Sequence, residues 1–381
     1  MRASIILPTF GDAPFIRWAI ASAQRQTVHE LEICVICDGS PPQMVDTLRG
    51  LSREDPRIRV FSFPKGPRHG EIYRHQVITD EATGRIVCYL SHDDLYLPWH
   101  VESMERALEK ADFANSVAVG MTTTRDEKGQ LRAEVQAVVL TDLEDAFFRD
   151  IVLEWDRKRR GFGLIFGSHT RDAYLRLPEG WATTPSTFPT DMYMWRKFVA
   201  YAGQRCASPM EITALHFERS AESSPGEREA SLAWWFSLTQ RPDFGKTINQ
   251  LALRRIARDV AHGASIGPRR VPAFRVPLDF WRVWWSGFFD APWYLERNPD
   301  VLANGVNPLW HFVRWGALEG RSPGPGFDST WYRATNPGIP ADVNPLVYYL
   351  KKGKVQGHHP IARRSGSSPR QDISETRDRN P

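Results

Sequence analysis

Apolar runs and segments of helical period alternate through the first 112 residues. Ser4–Leu7, Glu32–Cys37, Ile58–Phe63 and Ile86–Leu90 are short strand-forming runs, each closed by a polar or turn-forming cluster. Helical signals fill the gaps. Asp12 and Pro14 mark a start, and Phe15, Ile16, Ala19, Ile20 and Ala23 share one face. Further helices are expected over Pro42–Leu51 and Ile72–Ala82, and Val101, Met104, Leu108 and Ala111 recur at helical spacing. Strands separated by helices of this length predict βαβ units, hence an α/β fold with a mainly parallel sheet flanked by helices. Ligands of such sheets bind beyond the carboxyl ends of the strands. Thr9–Asp12, Asp38–Ser40 and Ser91–Asp94 are polar clusters at three of those ends, so one edge of the sheet is the expected site.

Further along, Val117–Thr124 and Arg132–Val139 predict a hairpin, Met192–Ala200 a helix, Glu211–Phe217 a strand, and residues 224–262 two helices. Gly163–Ser168 is an apolar stretch bounded by glycine, and Pro268–Pro277 a proline-bounded connector. An internal repeat follows: FDAPWYLERNPDVLANGVNPLWHFVRWGALEGRSP from Phe289 and FDSTWYRATNPGIPADVNPLVYYLKKGKVQGHHP from Phe327. Repeats of this size are supersecondary units that stack, and the shared Asn-Pro steps and glycines predict short helices joined by tight turns. The expected organisation is an α/β domain over 1–222, a helical extension and linker over 223–278, a small, mainly helical two-copy repeat domain over 279–361, and a disordered polar tail over 362–381.

Composition changes this picture little. Forty-nine basic residues face 45 acidic ones, which leaves no strong field for nucleic acid. No apolar run is long enough to span a membrane and the N-terminal apolar stretch is too short for a secretion signal, so the cytoplasm is expected. Cys34, Cys37 and Cys88 fall in strand-like runs. Cys34 and Cys37 read better as two buried thiols than as a redox pair, because residues three apart on a strand face opposite ways.

The chemistry concentrates in RIVCYLSHDDLYLPWH, Arg85–His100, where a buried strand stops at two adjacent aspartates. Adjacent carboxylates repel unless a cation or a donor sits between them, so Asp93-Asp94 is either a ligand site or a polar turn capping the next helix. ASIILPTFGDAPFIRWAIASAQRQT followed by LEICVICDGSPP resembles the opening of family 2 glycosyltransferases. YRHQVITDEATGRIVCYLSHDDLYLPWHVE and TDMYMWRKF are similar to that family's later motifs, in order and at matching spacing, over roughly residues 2–220. The resemblance implies the GT-A fold, a Rossmann-like α/β architecture. It also implies a nucleotide-diphosphate sugar donor, a glycan or lipid-linked acceptor, and a divalent metal, Mn²⁺ or Mg²⁺.

Residue by residue, the resemblance assigns Thr9, Phe10, Asp38, Arg74 and Asp93 to the nucleotide, Asp93 through its ribose. It makes Asp94 a metal ligand, with the late His216 a further one, and Asp191 the base that takes the acceptor proton. Each has a plainer alternative. Phe10 is otherwise a core aromatic, Asp38 part of an Asp-Gly turn, Arg74 a solvated helix residue, Asp191 an N-cap, and His216 an ordinary core or surface histidine. His169 is a candidate for the acceptor side or for the core. Cys37, Ser91 and Thr190 stand where the family has customary acids. The leading expectation is a metal-dependent inverting glycosyltransferase of bacterial surface polysaccharide synthesis. The alternative is a glycan-binding or scaffold protein with a degenerate transferase domain. The repeats resemble aromatic-rich repeats found beside bacterial polysaccharide glycosyltransferases. Their aromatics form either the small domain's own core or, around Asp279–Phe289, a peripheral contact with the inner face of a membrane.

Overall fold

A computed structural model describes residues 1–144, 146–153, 161–201, 203–217, 224–261, 279–280, 282–284, 286–304 and 308–362. The expected connector Pro268–Pro277 and all but the first residue of the expected tail lie outside these. The chain divides into two compact units, Met1–Val271 and Pro272–Pro381.

The first unit is built on strands β1 (Ala3–Phe10), β2 (Leu31–Asp38), β3 (Ile58–Phe63), β4 (Ile86–Tyr89), β5 (Leu95–Tyr96), β6 (Phe113–Asn115), β7 (Ala118–Arg125), β8 (Leu131–Val139), β9 (Gly167–Thr170), β10 (Cys206–Ala207) and β11 (Ala214–Phe217). Its helices are α1 (Ile16–Gln24), α2 (Pro42–Glu54), α3 (Glu71–Gln76), α4 (His100–Ala107), α5 (Ala146–Leu153), α6 (Arg171–Arg176), α7 (Thr190–Ala200), α8 (Pro225–Thr239) and α9 (Phe244–Ala261). Seven strands form one sheet in the order β10-β6-β9-β4-β1-β2-β3. All neighbours in it pair parallel except at β9, which is antiparallel to both β4 and β6. This is the mainly parallel α/β sheet that the alternation predicts. β2 is buried at every position, which is why its sequence is a near-continuous apolar run and not an alternating one.

Register then decides what meets at the carboxyl edge. Phe10 pairs with Asp38 across β1 and β2, and Ile6 with Tyr89 across β1 and β4, so the three polar clusters end side by side. A second sheet runs β5-β11-β7-β8, with β11 antiparallel to β5 and parallel to β7. Its pairing of Leu215 with Leu95 sets His216 beside Asp94.

Some expectations shift. The helix expected over Ile72–Ala82 is α3 followed by a wider π-type turn, Val77–Glu81, closed by the Ala82 amide on the Val77 carbonyl at 2.8 Å. The strand expected from Glu211 begins at Ala214, because Glu211 instead accepts from Ser103 at 2.6 Å and pairs with Arg106. Cys34 and Cys37 are buried free thiols, and burial pushes the Cys34 thiol up to about 12.

In the second unit both repeats fold alike. Helices Ala291–Arg297 and Ser329–Thr335 are capped by Asp290 and Asp328, whose carboxylates accept from the Trp293 and Trp331 amides at 3.0 and 2.9 Å. Gly316 and Gly353 lie where an added Cβ would stand 2.1 Å from the hydroxyl of Tyr294 and Tyr332 respectively, so the aromatic floor requires glycine there. Tyr294, Phe312, Phe327, Tyr332 and Tyr349 are buried, as are Phe280 and Val283 ahead of the repeats. These aromatics make the unit's own core. Trp284 is 46% exposed.

Candidate active site

A cavity of about 390 Å³ opens at the carboxyl ends of β1, β2 and β4. Thr9, Phe10, Asp38, Arg74, Asp93 and Asp191 all line it, and His69, Ser91, His92, Leu164 and Thr190 are also in its wall. Six of the eight expected site residues therefore converge, although Asp191 lies more than 150 positions after Asp38 in the chain. Asp94 and His216 are not among the lining residues.

Asp38 ends β2, and its carboxylate accepts from the Gly66 amide at 2.6 Å and from Lys65 Nζ at 2.7 Å. Gly70 stands against that carboxylate with φ of +65°, where a Cβ would lie 2.7 Å from the carboxyl carbon. Only glycine meets both demands. Arg74, on α3, is buried with its guanidinium 4.8 Å over the Trp181 ring. One terminal nitrogen donates to the His69 carbonyl at 3.1 Å, whereas Nε and the other terminal nitrogen have no hydrogen-bond partner among the described residues. Thr9 Oγ1 is likewise buried and unpartnered. Burial lowers the Arg74 pKa, and nearby Asp191 and Glu71 oppose that shift. Unused N–H donors on a buried guanidinium mark a place for an anion.

Neither aspartate of the pair caps the helix that follows. The N-cap of α4 is Trp99, without a side-chain cap. Asp93 instead receives Arg228 of α8 at 2.5 Å. Asp94 turns away, and its Oδ1 accepts from His216 Nδ1 at 3.0 Å and from the Phe217 amide at 2.9 Å. His92 packs between Phe10 and Phe15, with ring centroids at 5.4 and 5.6 Å. Asp191 does not cap its helix either, since the N-cap of α7 is Pro189, without a side-chain cap. Its carboxylate reaches across to accept from the Leu164 amide at 3.0 Å. Burial raises the Asp191 pKa, against the opposing pull of Arg74. His169 is wholly buried behind the cavity wall.

Among the described residues no group of three or more His, Cys, Asp or Glu is placed to hold a metal. Mg²⁺ and Mn²⁺ at a phosphate ligand need only one or two protein donors, and cis ligands each about 2.1 Å from an octahedral cation lie about 3.0 Å apart. Asp94 Oδ1 and His216 Nδ1 are 3.0 Å apart because they share a hydrogen bond, so Nδ1 would have to lose its proton before the pair could hold such a cation. A carboxylate and a deprotonated imidazole are donor types that a divalent cation of this kind accepts.

Lys65, His69, His92, Trp181 and Arg228 escaped the sequence reading. Lys65 and His69 sit in the Gly/Pro loop after β3, where no period or motif marks a contact. Arg228 follows a capping box, Ser224 with Glu227, that announces a helix and nothing about Asp93.

A carboxyl-edge cavity with an under-used buried arginine suits an anionic ligand of an α/β domain. Residues 4–159 match the model of the family described as Glycosyl transferase family 2. An uncharacterized glycosyltransferase of Rickettsia felis is 34% identical over 126 residues, 33% of this chain and 20% of that protein. The GalNAc(5)-diNAcBac-PP-undecaprenol beta-1,3-glucosyltransferase of Campylobacter jejuni is 31% identical over 96 residues, 24% of this chain and 30% of its own. The solved structure of S. aureus TarS 1-349 aligns with a TM-score of 0.42 at 13% identity, over 94% of this chain and 92% of that one. The chain spans about a fifth, 20%, of the length of the first curated relatives it matches. Among the described residues no helix is long and apolar enough to cross a membrane.

Proposed function

We propose that this chain is an inverting glycosyltransferase that moves a sugar from a nucleotide-diphosphate donor to a glycan or lipid-linked acceptor in polysaccharide synthesis. The observation that carries this is the meeting of Asp38, Arg74, Asp93 and Asp191 around one cavity, within and beyond a family 2 segment. Thr9, Phe10, Asp38 and Asp93 bind the nucleoside. Arg74 directs its two unused donors at the diphosphate, whose negative charge grows as the sugar leaves. Asp94 and His216 would hold Mn²⁺ or Mg²⁺, which supplies Lewis-acid neutralisation of the leaving phosphate oxygens. Asp191 takes the acceptor hydroxyl proton. Its burial makes it a stronger base than a solvated aspartate, and the Leu164 amide holds it in place. The reaction belongs on the cytoplasmic side, with peripheral membrane contact and no nucleic-acid partner.

Release of UDP, GDP or dTDP from a panel of donor sugars tests activity and donor together. Release of none, with calorimetry detecting no nucleoside diphosphate in the presence of Mn²⁺, would replace this reading with a glycan-binding or scaffold role. The neutral residues Cys37, Ser91 and Thr190 at customary acid positions are what favour that second reading.

A further inference from the structure

Behind the cavity wall lies a chain of buried polar groups that the reaction itself does not use. His169 Nδ1 lies 2.9 Å from the Thr170 carbonyl. A carbonyl only accepts, so Nδ1 carries the proton and Nε2 is left as an acceptor. Tyr89, on β4, therefore donates its hydroxyl to Nε2, at 2.7 Å. The Tyr89 oxygen in turn accepts from Trp181 Nε1 at 2.9 Å. The Trp181 backbone amide is fixed as well, donating to the Tyr174 hydroxyl at 2.8 Å. Every donor and acceptor along this line has one direction. It ends at the Trp181 ring, whose face lies under the Arg74 guanidinium at 4.8 Å.

The alternatives for such a chain are weaker. A proton relay would need a member that titrates near neutrality, but burial pulls His169 down to about 3 and pushes Tyr89 well above its ordinary value. Packing alone does not require three polar atoms to be buried and mutually satisfied beneath a guanidinium that keeps two of its own donors unused. An arginine held by one hydrogen bond, to the His69 carbonyl, needs a second constraint if its free donors are to keep a fixed aim.

We infer that His169, Tyr89 and Trp181 are positioning residues, a rigid hydrogen-bonded support that orients Arg74 toward an anionic group in the cavity. This rests on the proposed function for the identity of the anion, the diphosphate of a nucleotide donor. It concerns three residues, on β4, on β9 and in the loop after α6, to which that proposal gives no role.

Two measurements test it on the full chain. In the first, the Nε–H resonance of Arg74 is assigned by its disappearance in Arg74→Lys and followed without ligand. Tyr89→Phe, which removes one oxygen, is expected to shift and broaden that resonance. An unmoved resonance overturns the support. In the second, UDP, GDP and dTDP affinities are measured by calorimetry for Tyr89→Phe, Arg74→Ala and the double variant. Tyr89→Phe is expected to weaken binding about tenfold alone and by less than about twofold when Arg74 is already alanine, a coupling ordinary for residues acting through one another. Equal losses in both backgrounds, or none in the first, overturn the inference. If Tyr89→Phe does not fold, Trp181→Phe keeps an aromatic ring under Arg74 and removes the indole donor together with part of the ring, and the same outcomes apply. If the unaltered protein binds none of the three nucleotides, the proposed function fails, while the resonance experiment still decides the support.

Discussion

Arg228 donates to Asp93 at 2.5 Å across 135 residues of sequence, so a helix beyond the family-matched segment holds one of the cavity's carboxylates. The same helix is tied to α1 by the Arg17–Glu229 ion pair and by Trp18 against Phe236 at 5.4 Å. The Arg228 guanidinium also lies 5.1 Å over Phe15. The site is thus braced from outside the sheet that displays it.

Removing that brace leaves a carboxylate only 8% exposed without its cation. Arg228→Ala is expected to cost about 1.5–3 kcal/mol, the worth of a charge-assisted hydrogen bond in part-buried surroundings. Denaturant titration reads this directly, and Asp93→Asn in the same background should recover most of it. A loss below about 0.5 kcal/mol, the size of an ordinary surface substitution, would mean that the pair is held by solvent and not by the fold.

Asp191→Asn separates chemistry from folding. Asparagine still accepts from the Leu164 amide but takes no proton, so turnover should fall about 10²–10⁴-fold while nucleotide affinity stays within about twofold. Stability should move the other way. The folded pKa of Asp191 is raised, so the native state favours the protonated form. The favourable contribution is present below the unfolded pKa and is lost as pH rises through the folded one. At neutral pH the variant should therefore be more stable than the parent, and the difference should vanish in acid. Melting temperatures at pH 7 and below pH 4 check the sign.

If Asp191 is the base proposed above, the transfer rate of the unaltered protein should rise with pH along an acid limb centred above the usual aspartate range of about 3.9, because that base must be ionised to work. Single-turnover rates between pH 4 and 8 would reveal the limb. Its survival in Asp191→Asn would assign it to another group.

His216→Ala removes one of the two donors proposed to hold the divalent cation. The expected outcome is a metal-activation curve displaced about tenfold or more toward higher Mn²⁺, with maximal rate partly recovered at saturation. An unchanged curve would give the metal to other ligands.

Gly316→Ala forces a methyl against the Tyr294 hydroxyl. It should destabilise the repeat unit by about 1–3 kcal/mol, as overpacking does. The same change in Tyr294→Phe should cost markedly less, because the obstructing oxygen is gone. Equal costs in the two backgrounds would point to backbone strain instead.

The parallel sheet was legible because β1 to β4 are apolar runs bounded by turn residues, a local signal. The two-copy repeat was legible because its Asn-Pro, Trp-Tyr and glycine positions recur in order. Arg74 and Asp191 were found through motif spacing, but their burial was not, since it depends on Trp181, Leu164 and Glu71 arriving from elsewhere. Asp93 and Asp94 look equivalent in sequence. What parts them is the pairing of β11 with β5, which claims Asp94 for His216 and leaves Asp93 to α8. No local pattern encodes a partner more than a hundred residues away.

That long-range pairing bears on how such a domain is cut and recombined. Residues 4–159 carry the family signature, yet Asp191, His216 and Arg228 all follow it. A truncated chain or natural fusion ending with the signature would keep Thr9, Phe10, Asp38 and Asp93 but lose Asp191, the imidazole beside Asp94 and the brace on Asp93. The smallest transplantable piece therefore extends at least through α8, and a boundary drawn from the signature alone would cut away Leu164, Thr190 and Asp191 from the cavity wall.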